Sequence, residues 1–248
     1  KEFGIWKAVS WEELGQRARE IGMGLASLGY QPGEVVSIQS NTGKEWVYAD
    51  LGALGAGGVV NGIYPTDAPA QVEYLLSDSG SVYVFVEDDE QLDKVLEVRA
   101  RLPRLKKIFV FDMEGLHELN DPQVMSLDAL RALGREYDAA HPGEWERRIG
   151  VRKPEDLAIL VYTSGTTGRP KGVQRDTGGY AVALAASMKY IYCGNAGETL
   201  FTTSDIGWVV GHSYIVYAPL IAGMTTILYE GLPIRPDAGI WWKIVADH

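Results

Sequence analysis

Short, continuously apolar runs alternate with amphipathic ones along most of the 248-residue chain. VVSIQS (35–40), VVNGI (59–63), SVYVFV (81–86), KIFVF (107–111) and LAILVY (157–162) are rich in β-branched and aromatic residues, as strands covered on both faces are. Between them apolar positions recur at helical spacing. Ser10, with Glu13 three residues on, has capping-box spacing and opens a helix expected to run to about Leu28 and end at Gly29. Further helices are expected over 44–56, from Pro69 to about Ser77, and over 89–102, where Leu92, Val95, Leu96 and Val98 fall on or near one face. Later in the chain GGYAVALAASMKYIY (178–192) and GHSYIVYAPLIAG (211–223) read as helices, TLFTT and TTILYE as strands, and a last helix comes after Pro236.

This alternation predicts βαβ units: an α/β fold of layered, parallel-rich sheets flanked by helices. Residues 112–150 are more polar and read as a loop, one helix (Leu127 to Tyr137) and a linker. A boundary is therefore expected near 150, with residues 1–150 forming a first α/β subdomain and 151–248 opening a second, truncated one. The chain begins without a methionine and stops inside the helical run IWWKIVADH, so an N-terminal fragment is expected.

Composition narrows the partners. A formal net charge of −10 leaves no basic stripe to neutralise nucleic-acid phosphates or to hold an anionic membrane. The run 51–64 comes nearest to a membrane span, but it is glycine-rich and shorter than the roughly 18 residues required. A single cysteine, Cys193, cannot build a disulfide framework, which suits a reducing, cytoplasmic setting. His117, His141 and His248 lack metal-ligand spacing with one another and with Cys193, and are assigned to the surface.

The chemistry concentrates in YTSGTTGRPKGVQRD (162–176). Glycines allow close backbone approach to a phosphate, the hydroxyls of Thr163, Ser164, Thr166 and Thr167 add donors, and Lys171 adds a mobile cation. A helix is expected directly after the loop, and unpaired N–H groups at its start would complete a triphosphate cradle. The loop is not a Walker loop, because Pro170 precedes the lysine and Gly172 comes after it. The plainer reading is a flexible polar turn. A second segment, SDIGWVVGHSY (204–214), sets Trp208, Val209 and Val210 beside Gly211 and His212, an apolar wall with a polar group at its edge. His212 is read either as a satisfied core histidine or as a group that orients a carboxylate.

TSGTTGRPKG (163–172) resembles, at all ten positions, the phosphate-loop signature of the adenylate-forming (AMP-binding) superfamily. Acyl-CoA synthetases, luciferases and peptide-synthetase adenylation domains share it. The resemblance implies the N-terminal part of that superfamily's large domain. It also implies attack of a carboxylate on the α-phosphate of Mg·ATP, then thioester formation with coenzyme A. Thr163, Ser164, Gly165, Thr166, Thr167, Gly168 and Lys171 would hold the ATP phosphates, with Thr163 near Mg2+. Lys171 and His212 would be catalytic, and Trp208, Val209, Val210, Gly211 and His212 would line the acyl pocket.

From Val173 onward the chain is similar to acetyl- and especially propionyl-CoA synthetases, whereas GIYPTDAPAQVEYLLSDSG and the 87–103 run resemble bacterial long-chain fatty acyl-CoA synthetases. A short acid is expected, since Trp208 and its neighbours would touch it. The alternatives are a long-chain ligase, a carrier-loading adenylation domain and a non-catalytic nucleotide-binding module. By resemblance, the adenine-side motif, the ribose-binding aspartate and a mobile domain with a further lysine lie beyond His248. Negligible turnover is therefore expected of residues 1–248 alone.

Overall fold

Every continuous apolar run forms a strand: Val35–Gln39 (β1), Val59–Ile63 (β2), Tyr83–Val86 (β3), Lys107–Val110 (β4) and, after the short Val124–Ser126 (β5), Leu157–Ser164 (β6). With Pro170–Asp176 (β7) they make one seven-stranded sheet in the order β5-β4-β3-β1-β2-β6-β7. Its pairings are parallel except β6 with β7. The computed structural model describes residues 5–164, 170–229, 231 and 235–248. They divide into two compact units, one of Val9–Ser40 with Glu45–Thr177, the other of Gly178–His248 with Asn41–Lys44 and the first residues up to Ala8.

The first unit holds the sheet. Helices Trp11–Ser27 (α1), Lys44–Gly55 (α2), Pro69–Ser79 (α3), Asp89–Val98 (α4), Leu127–Ala140 (α5) and Glu144–Gly150 (α6) accompany the strands as the βαβ pattern requires. α1 starts where its cap predicts: the Ser10 hydroxyl accepts from the Glu13 amide at 3.0 Å. Val72, Leu76, Leu92 and Val95 of α3 and α4 close a buried core over Ile63, Val84, Val86 and Ile108. α1 and α5 approach backbone to backbone, because a Cβ at Gly134 would lie 1.8 Å from the Glu20 carbonyl oxygen. Along the same seam Arg131 donates to the buried Glu20 carboxylate at 2.8 Å. Burial alone would raise the Glu20 pKa, but Arg131, Arg135 and Arg17 together hold it below its usual value.

Two pieces of the polar stretch 112–150 are regular structure that its composition hides, namely β5 and α6. α6 is short but structurally important. Arg148, buried, donates to the carbonyls of Tyr30 at 3.2 Å and Ala56 at 3.0 Å while pairing with Glu144. Arg152 does the same for Gly57, Gly58 and Leu157. Residues 151–177, expected to open a second subdomain, extend the first sheet instead. β2 offers β6 an apolar parallel edge, Val60 pairing with Ile159, so the compact units part at Thr177 rather than at 150.

In the second unit the helix Thr177–Tyr190 (α7) packs Leu184 and Met188 against Ala218 and Met224. Thr199–Leu200 (β8) and Thr225–Thr226 (β9) pair in parallel, shorter than the strands expected there. Between them run Val209–Gly211 (α8), a π-helical turn His212–Tyr217, and Ala218–Ile221 (α9); Ile240–Asp247 (α10) comes last. A two-stranded sheet covers little apolar surface, and Val182, Tyr190, Ile191 and Trp242 remain 70–77% exposed. No helix among the described residues is long and apolar enough to cross a membrane.

Candidate functional site

The loop rich in glycine and threonine leaves the carboxyl end of β6, the edge where open α/β sheets bind ligands. It leads into a strand, not into the expected helix. β7 turns back antiparallel to β6, pairing Ser164 with Pro170, Thr163 with Lys171 and Tyr162 with Gly172. Any phosphate cradle here is therefore the mouth of a hairpin, and all seven residues of β7 separate it from the start of α7, whose dipole cannot serve it. The sequence hides this strand because PKGVQRD has no apolar alternation: six of its seven residues are exposed, and β7 is an edge strand.

The register decides which groups meet. Directly opposed residues in a strand pair project from the same face, so the Thr163 hydroxyl and the exposed Lys171 ammonium share one face of the hairpin. Tyr162 and Gly172 share the other, where a Cβ at Gly172 would stand 3.2 Å from the Tyr162 ring. On that face Tyr162 donates to Asp78 of α3 at 2.8 Å, and Tyr74 of α3 donates to the Pro170 carbonyl at 3.1 Å. Burial, then the Asp78 hydrogen bond and charge, push the Tyr162 phenol well above its ordinary pKa, so it stays a donor. Gly165, Thr166, Thr167 and Gly168 lie outside the described residues, as does the Ser164 side chain.

The second candidate segment belongs to the other unit. Trp208 caps α8 and, with Val210, is nearly half exposed, whereas Gly211 and His212 are buried. Gly211 is required: a Cβ there would lie 1.9 Å from the Asp205 carbonyl oxygen. The Trp208 carbonyl accepts both the His212 amide at 2.9 Å and the ring Nδ1 at 3.0 Å. A carbonyl only accepts, so Nδ1 carries the proton and Nε2 is the acceptor side of a neutral ring. Burial drives the His212 pKa down to about 4, against a smaller opposing effect of the Trp208 bond. At neutral pH His212 thus has no positive charge to offer a phosphate, and its visible task is to hold the Trp208 turn.

The π-helical turn begins at this histidine. π-turns leave carbonyls off the regular ladder and recur at functional sites. Here the hydroxyls of Thr202 and Thr226 donate to the carbonyls of Tyr214 and Ile215 at 2.9 and 2.7 Å. Ser213 donates to Val209 and therefore accepts from Tyr180 at 2.6 Å. The expected surface histidines, His117, His141 and His248, are not buried, and Cys193 is exposed. Among the described residues no cluster of three His, Cys, Asp or Glu could hold a metal.

A parallel-rich sheet with a Thr–Lys pair where a glycine–threonine loop leaves it defines an α/β protein with a candidate phosphate site. The family model described as AMP-binding enzyme matches residues 2–248, and the chain belongs to that family. It is 31% identical to acetyl-coenzyme A synthetase of Halorhodospira halophila over 97% of its length and 37% of that protein's. A rat relative, acyl-CoA synthetase short-chain family member 3, is 32% identical over 97% of the chain and 35% of its own length. Propionate–CoA ligase of Escherichia coli reaches 60% identity, over 48% of the chain and 19% of the ligase. The chain thus spans less than two fifths of the acetyl-coenzyme A synthetase and of the rat protein, although nearly all of its own length aligns with each. The crystal structure of the anthranilate CoA ligase AuaEII in complex with anthranoyl-AMP shares the fold, with a TM-score of 0.76 at 22% identity, covering 92% of this chain and 41% of that one.

Proposed function

We propose that this chain is the phosphate-loop and acid-side portion of an AMP-forming acyl-CoA synthetase for a short-chain acid such as acetate or propionate. The observation that carries this reading is the register of the hairpin, which pairs Thr163 with Lys171 on one face where the loop leaves the sheet. A cation and a hydroxyl on one face suit a polyphosphate that gains charge as it departs. Membership of the AMP-binding enzyme family supports ATP as the nucleotide. The propionate and acetate relatives support a small acid.

In the reaction, a carboxylate oxygen bonds to the α-phosphorus of ATP and the bond to the bridging oxygen of the β-phosphate breaks, releasing pyrophosphate. Coenzyme A thiolate then attacks the acyl carbon and AMP leaves. Lys171 and Thr163 bind the β- and γ-phosphates and meet the charge that collects on the leaving diphosphate. Mg2+ arriving with ATP would be met by the Thr163 hydroxyl, a protein oxygen of the kind such a hard cation takes beside water and phosphate, and would neutralise phosphate charge. Gly165, Thr166, Thr167 and Gly168 supply backbone and hydroxyl donors in this reading. On the acid side, Trp208, Val209 and Val210 form the apolar wall, and neutral His212 fixes it through the Trp208 carbonyl. The reading places the protein in the cytoplasm, where ATP and coenzyme A are available.

ATP–pyrophosphate exchange by the full-length gene product, with acetate, propionate, butyrate and a long-chain acid, tests this. Exchange should require a short acid and fall at least ~100-fold in Lys171→Ala, on the scale of other lost transition-state charge contacts. Exchange with the long acid alone, or an unaffected Lys171→Ala, would overturn it.

A further inference from the structure

β7 is held weakly. It is the edge strand of the sheet, exposed along nearly all its length, and contributes nothing to the α3/α4 core. Backbone ladders by themselves tolerate slippage where neither face is buried. A slip of one residue would turn Lys171 onto the face opposite Thr163. Something must pin the register at the loop, and α3 supplies it. Tyr74 and Asp78 are one helical turn apart and so share a face of α3. From that face Tyr74 reaches the β7 side of the hairpin at the Pro170 carbonyl, and Asp78 reaches the β6 side at the Tyr162 hydroxyl.

Both rings pack on the α3/α4 core, so their hydroxyls are not free to wander. Pro170 has no N–H, which leaves its carbonyl as the only backbone group by which the first residue of β7 can be gripped from α3. Gly172, two pairs further on, admits the Tyr162 ring across the strands, where a Cβ would stand 3.2 Å from it.

We propose that Tyr74, Asp78 and Tyr162 form a register clamp: positioning residues that hold Lys171 opposite Thr163 and thereby set affinity for the β- and γ-phosphates of ATP. The proposal rests on the reading of this hairpin as the phosphate loop. None of the three touches the nucleotide, and all three act through the strand that carries Lys171.

The test uses the full-length gene product with Tyr74→Phe, Tyr162→Phe and Asp78→Ala. It reads the KM for ATP, the KM for the carboxylate and kcat in pyrophosphate exchange, together with equilibrium binding of ATP and of AMP by calorimetry. Loss of one clamp hydrogen bond should raise the KM and Kd for ATP about 3- to 10-fold. The carboxylate KM, AMP binding and Tm should stay as in the parent. Tyr74→Phe added to Lys171→Ala should cost nothing further, since the clamp has no other target. Equal losses for ATP, AMP and the acid, or a lowered Tm with unchanged ATP affinity, would make these residues merely structural and sink the proposal. If Lys171→Ala weakens ATP while all three clamp variants do not, only the clamp fails. If Lys171→Ala leaves ATP binding unchanged, the phosphate-loop reading fails and the clamp with it.

Discussion

Acidification should discharge a specific store of stability at His212. The ring is fully buried and neutral, with its pKa displaced from 6.5 to about 4 by burial. A folded-state pKa below the unfolded one means that the fold binds the neutral ring. That stability is complete above pH 6.5 and drains as pH falls toward 4. A displacement of this size is worth about 3 kcal/mol in full, of which about 2 kcal/mol is lost between about pH 7 and pH 5. The assay is urea unfolding of the parent and of His212→Asn, whose side-chain amide can still donate to the Trp208 carbonyl but does not titrate. Glu20, Asp121 and Glu144 are held below their usual values, and burial raises Asp67; their contributions cancel in the difference between the two proteins. The advantage of the parent should shrink by about 2 kcal/mol from about pH 7 to pH 5. The His212 ring resonances should stay fixed across that range. A gap that does not change with pH, or a ring titrating near 6.5, would refute the neutral-ring argument and make His212 a candidate cation again.

Two further outcomes come from packing. Gly134→Ala places a methyl group against the Glu20 carbonyl and should destabilise the protein by about 2 kcal/mol or more in chemical denaturation, whereas Gly15→Ala, in the same helix pair with open space around it, should stabilise by about 0.5–1 kcal/mol. Arg148→Leu leaves the carbonyls of Tyr30 and Ala56 without this donor, while Glu144 keeps Arg147, and should lower stability by about 3 kcal/mol; a loss below about 1 kcal/mol would show that water replaces the guanidinium.

Much of this protein is legible in local pattern. β1 to β4 and β6 announce themselves because both their faces are covered, which demands an uninterrupted apolar run. The start of α1 is visible because its cap is a contact between Ser10 and Glu13, three residues apart. The glycines, hydroxyls and lysine of 163–172 are likewise local. By contrast β7 is invisible: an exposed edge strand needs no apolar side chains, and its partner is defined only by the hydrogen bonds of β6. α6 is hidden because its role lies in carbonyls distant in sequence, and β5, Val124–Ser126, because three residues are too few to show a pattern.

The candidate site divides in the same way. Residue type nominated Lys171 and Thr163 for a phosphate, and only the family resemblance added a role for His212. Which face of the hairpin Lys171 occupies, that Thr163 stands opposite it, and that Tyr74 and Asp78 grip the strands beneath were decided by register and by contacts spanning from Tyr74 to Pro170 and from Asp78 to Tyr162. The charge state of His212 was decided by burial, a property of the packed unit and not of its neighbours in sequence. Local physics is written in adjacent residues, so the chain alone determined which elements form and which groups are available. Register, burial and long-range hydrogen bonds arise only once distant segments meet, so the folded structure alone determined how those groups face one another and in what ionisation state.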